Sequence, residues 1–162
     1  MALRLVVRGV LLLLVSCTAT FPVEAPLVPM SVCEILRDLP ALEGKPVAAL
    51  GRYSFRSTGR WLDEQSCEPA IAAPPELWLT EDHKDGPKPP ESFDLDGAAL
   101  QRKFADLRKR TTLGKFRFGT PDYDRWAIVY GRVEARKGDA SKKAPADLVF
   151  RGDGVVVFLR NE

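Results

Sequence analysis

Three strand-like stretches, one stretch of helical period and then a return to strand-like patterning follow one another in this chain, and that order limits the folds open to it. From Val47 to Phe55, residues Val47, Ala49, Gly51, Tyr53 and Phe55 share one side while Arg52, Ser54 and Arg56 share the other, which is the period of a half-buried strand. Ser57-Thr58-Gly59 supplies a turn, Arg60 to Glu64 a second strand, and Glu76 to Thr80, introduced by Pro74-Pro75, a third. A charged, proline-rich loop over Glu81 to Ser92 precedes a helix. Asp94 or Asp96 can cap it, Leu100, Phe104 and Leu107 recur at i, i+4 and i+7, and Gly114 stands near its end. Trp126 to Ala135 is again strand-like. Asp147 to Phe150 is expected to pair with Val155 to Leu159 across Arg151-Gly152-Asp153-Gly154.

Ahead of the strands, Ser31-Val32-Cys33-Glu34 reads as a capping box, with Met30 and Ile35 placed for a hydrophobic staple. Val32, Ile35, Leu36 and Leu39 then form one face of a short helix that Pro40 ends. The folded domain is therefore expected over residues 31–162. Residues 17–30 carry Pro22, Pro26 and Pro29 without periodicity and read as an extended tether, which at ~3.1 Å per residue reaches about 40 Å.

Residues 1–16 have the shape of an export signal: Arg4 and Arg8, then the apolar run Val10 to Val15, too short to span a bilayer. Leu14-Val15-Ser16-Cys17 resembles the lipobox of bacterial lipoproteins, which implies diacylation of Cys17 and attachment to a membrane facing the periplasm or the exterior. The alternative is simple cleavage after Cys17-Thr18-Ala19, giving a soluble secreted or periplasmic protein. Either route removes Cys17 from disulfide chemistry and leaves Cys33 and Cys67, expected to pair in an oxidising compartment. Loss of Arg4 and Arg8 also brings 24 basic against 22 acidic side chains to balance. A nucleic-acid partner, which needs a net basic footprint, is not expected.

The element order β-β-β-α-β-β, preceded by a short helix, is that of a mainly β chain with helices (β+α), a small OB-fold-like Greek-key barrel. Ser31-Val32-Cys33-Glu34-Ile35-Leu36, then Leu42-x-Gly44-Lys45-Pro46-Val47 with Gly51-Arg52, then Cys67 and Gly131-Arg132-Val133-Glu134, are similar to a group of uncharacterised exported bacterial proteins with OB-like cores. That resemblance implies a fold and a compartment, and no activity.

Candidate chemistry is sparse. His83, the single histidine, lies between Asp82 and Asp85 and could serve a small envelope hydrolase or metal-dependent enzyme, but its charged, proline-rich loop argues for solvent. Neither G-x-S-x-G nor a phosphate-cradling glycine loop occurs, so no catalytic residue, metal ligand or cofactor is assigned. Asp63 with Glu64, or Asp122 with Asp124, could supply paired carboxylates, and the run Arg102 to Arg117 holds seven basic residues against Asp106. The leading expectation is a non-enzymatic module that binds an envelope ligand or protein through the outer barrel face. Its candidate residues are Arg52, Arg56, Arg60, Trp61, Trp78, Trp126, Tyr130 and Arg132.

Overall fold

A computed structural model describes residues 25–91, 93–114, 123–152 and 156–159. The signal segment, Cys17, Asp122, Arg117 and Gly154 lie outside the described residues. A two-residue strand β1 (Met30–Ser31) leads into helices α1 (Val32–Arg37) and α2 (Leu39–Leu42). Strands β2 (Pro46–Arg56), β3 (Gly59–Asp63) and β4 (Glu76–Glu81) follow, then α3 (Gly97–Arg110), β5 (Tyr123–Ala135), β6 (Ala146–Phe150) and β7 (Val156–Leu159).

Five of these strands close on one another. β2 pairs with β3, β3 with β4, β4 with β6, β6 with β5, and β5 returns to β2 over ten residue pairs from Pro46↔Arg132 to Phe55↔Tyr123. Only β4 and β6 run parallel within that ring. The result is a closed five-stranded barrel with a few helices, a small OB-like β+α architecture.

The expected hairpin between the last two strands does not form. β6 is already bonded on both edges, to β4 and to β5, so β7 has no edge of it to join. β5 is 13 residues long, and β6 covers only Arg132 to Ala135 of its edge. β7 takes Trp126 to Val129 further along that same edge.

Period-two alternation sorts the barrel into an inner and an outer face, and both become cores. Val47, Ala49, Tyr53, Leu62, Leu77, Leu79, Ala127, Val129, Val133 and Leu148 fill the interior. Val32 and Ile35 of α1, both fully buried, belong to this cluster and plug the barrel. Each such burial is worth roughly 1.5 to 3 kcal/mol. Gly51 makes room for the plug, since a Cβ there would stand 3.0 Å from Val32 Cγ2 and 3.1 Å from the Asp63 carbonyl. The helix between the third and fourth barrel strands does not enter the barrel. Instead α3 lays Leu100, Phe104 and Leu107 on the outside of β2 and β5, over Ala48, Leu50, Trp126, Ile128 and Tyr130.

α1 is held firmly. The Ser31 hydroxyl accepts from the Glu34 amide at 3.3 Å and the Glu34 carboxylate accepts from the Ser31 amide at 2.7 Å, completing the capping box. A disulfide joins Cys33 to Cys67 with their Cα atoms 5.5 Å apart, so the plug is covalently tied to the β3–β4 connection. Glu64, buried beside it, accepts from the Cys33 amide at 2.7 Å and from Arg110 of α3 at 3.0 Å.

The segment expected as a tether is docked over its last residues. The Leu27 amide donates to the Asp94 carbonyl and its carbonyl accepts from Asp96, Pro29 is buried, and β1 adds to β2 through Met30↔Ala49 and Ser31↔Leu50. Leu27 also packs against the outer core.

Candidate functional site

The eight residues expected on one binding face are dispersed by the fold. Trp126 and Tyr130 are 3% and 6% exposed, enclosed beneath α3. Arg60 has the opposite strand parity to Trp61 and so points to the barrel mouth, where it lies 4.9 Å over the Phe150 ring and pairs with Glu81. Arg132 forks onto Glu134 at 2.7 and 2.9 Å and donates to the Asp85 carbonyl. Arg56 pairs with Asp124 at 2.5 Å. Arg52, Trp61 and Trp78 remain together.

Trp61 and Trp78 are directly opposite each other on β3 and β4, with ring centroids 5.7 Å apart and planes 13° from parallel. Both are half-buried on the outer face. Three contacts fix their orientation. The Trp61 indole N–H donates to Asp63 Oδ2 at 3.0 Å, while Arg52 grips the same carboxylate with Nε and Nη2 at 2.6 Å each. Arg136 lies 5.5 Å over the Trp78 ring and is itself paired with Asp147. Gly59, with φ of +139°, lets the Trp78 benzo edge lie directly against its backbone, where no side chain would fit.

A shallow depression of about 400 Å³ opens over this pair, lined by Thr58, Trp61, Glu76, Trp78 and Lys143. Thr58 comes from the β2–β3 turn. Lys143 comes from the β5–β6 connection, which carries a 3-10 turn at Gly138–Lys142. Glu76 is half-buried, and its carboxyl forms no hydrogen bond or ion pair among the described residues. Burial, and then the negative charge of Asp63, push its pKa above the ordinary glutamate value, with Arg52 acting in the opposite sense. Asp63 also raises the pKa of Arg52, through the fork, despite the cost of burial.

The remaining candidates have structural occupations. Asp63 and Glu64 are adjacent and both buried but point to different partners, Arg52 and Arg110, so they do not form an acid–base pair facing one cleft. In the basic run, Lys103 is bound by Glu34 at 2.5 Å and Arg110 by Glu64 and Asp106, both at 3.0 Å. Lys103 thereby ties α3 to α1, and Arg110 ties it to Glu64 beyond the end of β3. His83 is 74% exposed with Glu81 at 3.5 Å, on a turn whose Asp82 carboxylate accepts from the Lys84 and Asp85 amides. Among the described residues no group of three or more His, Cys, Asp or Glu is placed to hold a metal ion. No described helix is long and apolar enough to cross a membrane.

Sequence reasoning missed Glu76, Asp63, Arg136 and Lys143 as neighbours of the indole pair. Period two was signal enough for the first two, because Glu76 shares the parity of Trp78 and Asp63 that of Trp61. Arg136 and Lys143 arrive from a connection between strands, where no periodicity speaks. A second group also escaped notice: Tyr53, Tyr123 and Phe158 meet at the barrel mouth, with Arg125 5.0 and 5.3 Å over the last two rings. Comparison of the chain with protein-family models, with curated proteins and with solved structures finds no match.

Proposed function

We propose that this protein is a non-enzymatic, exported cell-envelope protein, tethered to a membrane through a lipid on Cys17, whose OB-like barrel binds an envelope ligand on the outer face of β3 and β4. The observation that carries the binding reading is the parallel Trp61–Trp78 pair, oriented by Asp63, Arg136 and Gly59 and left half-exposed above a depression. Two large rings held in place and only half-covered supply contact area at small ordering cost. In the OB-fold reading of the strand order, β3 and β4 are the second and third barrel strands, and the turn at Thr58 and the connection at Lys143 are the loops that border the ligand face. The leader and the Leu14-Val15-Ser16-Cys17 pattern support export and anchoring, and the Cys33–Cys67 disulfide is at home in an oxidising compartment.

Two measurements test this. Mass spectrometry of the chain from membrane fractions is expected to show diacylglycerol on Cys17, and an unmodified N-terminus beyond it removes the anchor. Acrylamide quenching is expected to reach two of the three tryptophans, Trp126 being shielded. Accessible indoles that no envelope component protects would remove the binding face.

A further inference from the structure

Resting on the anchored reading for its nearness to a membrane, we infer that the outward face of α3 docks on the anionic phospholipid surface of the membrane to which the chain is tethered.

The face is cationic and its charges are of one sign. Leu100, Phe104 and Leu107 turn α3 towards β2 and β5, which places Ala98, Arg102, Ala105 and Lys109, at i, i+4, i+7 and i+11, on the opposite side. All four are exposed, and Arg108 is exposed beside them. Arg102 and Lys109 have no acidic partner among the described residues, whereas Lys103 and Arg110 are bound by Glu34 and Glu64. The one acid of the helix, Asp106, stands at the flank, where the Arg110 guanidinium holds it at 3.0 and 3.1 Å. A helix face that only meets water ordinarily interleaves opposite charges at i, i+4 spacing. This stripe separates its cations with alanines instead, so a flat anionic partner can approach the backbone closely. Each Lys or Arg near an anionic bilayer contributes about a fivefold factor to such docking.

Lipid fits this face better than other polyanions. A single-stranded nucleic acid would look for aromatic platforms, and the aromatic residue of α3, Phe104, is turned inward and 9% exposed. Between α3 and β7 runs a groove of about 440 Å³ whose lining includes Leu100, Phe104, Ala105, Arg108 and Leu159. An apolar groove beside a cationic stripe suits an amphiphile. The path of the chain brings the two together. Leu27 is bonded to Asp94 and Asp96, and Asp96 caps α3, so the chain enters the domain at the first turn of that helix. Cys17 lies ten residues before Leu27, which holds an anchored α3 within at most about 35 Å of the bilayer. Docking also leaves the Trp61–Trp78 pair facing away from the membrane, because β3 and β4 lie two ladders round the ring from the β2–β5 ladder that α3 covers.

The test reconstitutes the full-length chain, purified in detergent, with vesicles of phosphatidylcholine alone or with about 30% phosphatidylglycerol. Flotation reads the anchor, and lysine acetylation followed by mass spectrometry reads the face. Lys109 is expected to react at least about fivefold more slowly on anionic than on neutral vesicles, and to recover as salt rises from about 0.05 to about 0.5 M. Lys142, 79% exposed on the β5–β6 connection, is expected to react equally on both. Ala105→Glu, an exposed position, is expected to reduce the protection of Lys109 to less than about twofold, and Ala105→Lys to preserve it. Flotation with anionic vesicles alone, with Lys109 protected, removes the anchor and leaves the face standing. Flotation with both vesicles and equal reactivity of Lys109 overturns the face and leaves the anchor. Protection that survives in Ala105→Glu, or that extends equally to Lys142, overturns it too. Protection by oligo-dT in solution but not by anionic vesicles assigns the stripe to nucleic acid and overturns the membrane.

Discussion

Two carboxylates of the outer face illustrate how neighbours decide the sign of a pH effect. The Asp124 side chain is 2% exposed, and burial alone would raise its pKa, but Arg56, Ser54 and the Gly114 amide together outweigh burial and hold it below the usual aspartate value. Its ionised form therefore stabilises the fold above the unfolded pKa of about 3.9, and that contribution is lost as pH falls through the folded value. Asp124→Asn is expected to lower stability by roughly 2 kcal/mol at neutral pH, with the gap from the parent closing in acid. Urea denaturation at both pH values checks this, and a gap independent of pH would refute it. Glu76 has the opposite sign. Its raised pKa means that the fold favours the neutral form, a contribution fully present below about pH 4.3 and lost as pH rises through the folded value. Glu76→Gln is expected to raise the neutral-pH stability by less than about 1 kcal/mol after solvent screening and to change nothing near about pH 3. A stabilisation that is equal at both pH values would point to packing, not ionisation.

At the scale of elements, α1 is the piece whose position matters most, and it is too short to hold itself. Six residues make a marginal helix in isolation. Its place comes from the capping box, the Val32 and Ile35 side chains inside the barrel, and the disulfide to Cys67. The cysteines are 34 residues apart in sequence, so on the loop-entropy model the cross-link contributes about 4 kcal/mol. Replacing both by serine is expected to lower Tm by roughly 10 to 15 °C in thermal unfolding followed by circular dichroism. A shift of only a degree or two would show that cap and packing suffice. Much of α1 was legible beforehand, since Ser31, Glu34 and the spacing of Val32 and Ile35 are local signals. Its destination was not, because nothing local says whether a barrel is plugged by the helix that precedes it or by the one between its third and fourth strands. The sheet shows the same division. The face assignment in β2 was legible because Arg52 and Arg56 mark its outer side. In β5 both sides are apolar, with Trp126, Ile128 and Tyr130 on one and Ala127, Val129 and Val133 on the other, so alternation could not say which aromatics would meet solvent.

The molecule as a whole is two cores on opposite sides of one β2–β5 ladder. Inside the barrel, α1 packs against Val47, Ala49, Ala127 and Val129; outside, α3 packs against Ala48, Leu50, Trp126 and Ile128. Consecutive residues of the same two strands thus serve different layers, and neither layer can lose its β2–β5 backbone without destroying the other. The layers are also tied across the surface by Glu34 with Lys103 and by buried Glu64 with Arg110. Arg110 keeps its charge there, burial being outweighed by Asp106 and Glu64. Such sharing should make unfolding a single cooperative event despite the mixed architecture. Ile35→Ala in the plug and Phe104→Ala in α3 are each expected to cost roughly 2 to 5 kcal/mol, with transitions by tryptophan emission and by far-ultraviolet circular dichroism that coincide in both variants. Buried Trp126 reports on the outer layer, Trp61 and Trp78 add the signal of β3 and β4, and the backbone signal reports on the barrel, so the two probes view both sides of the ladder. Should Phe104→Ala release the tryptophan signal at lower urea than the backbone signal, α3 would be an independently docked layer on a barrel that stands without it.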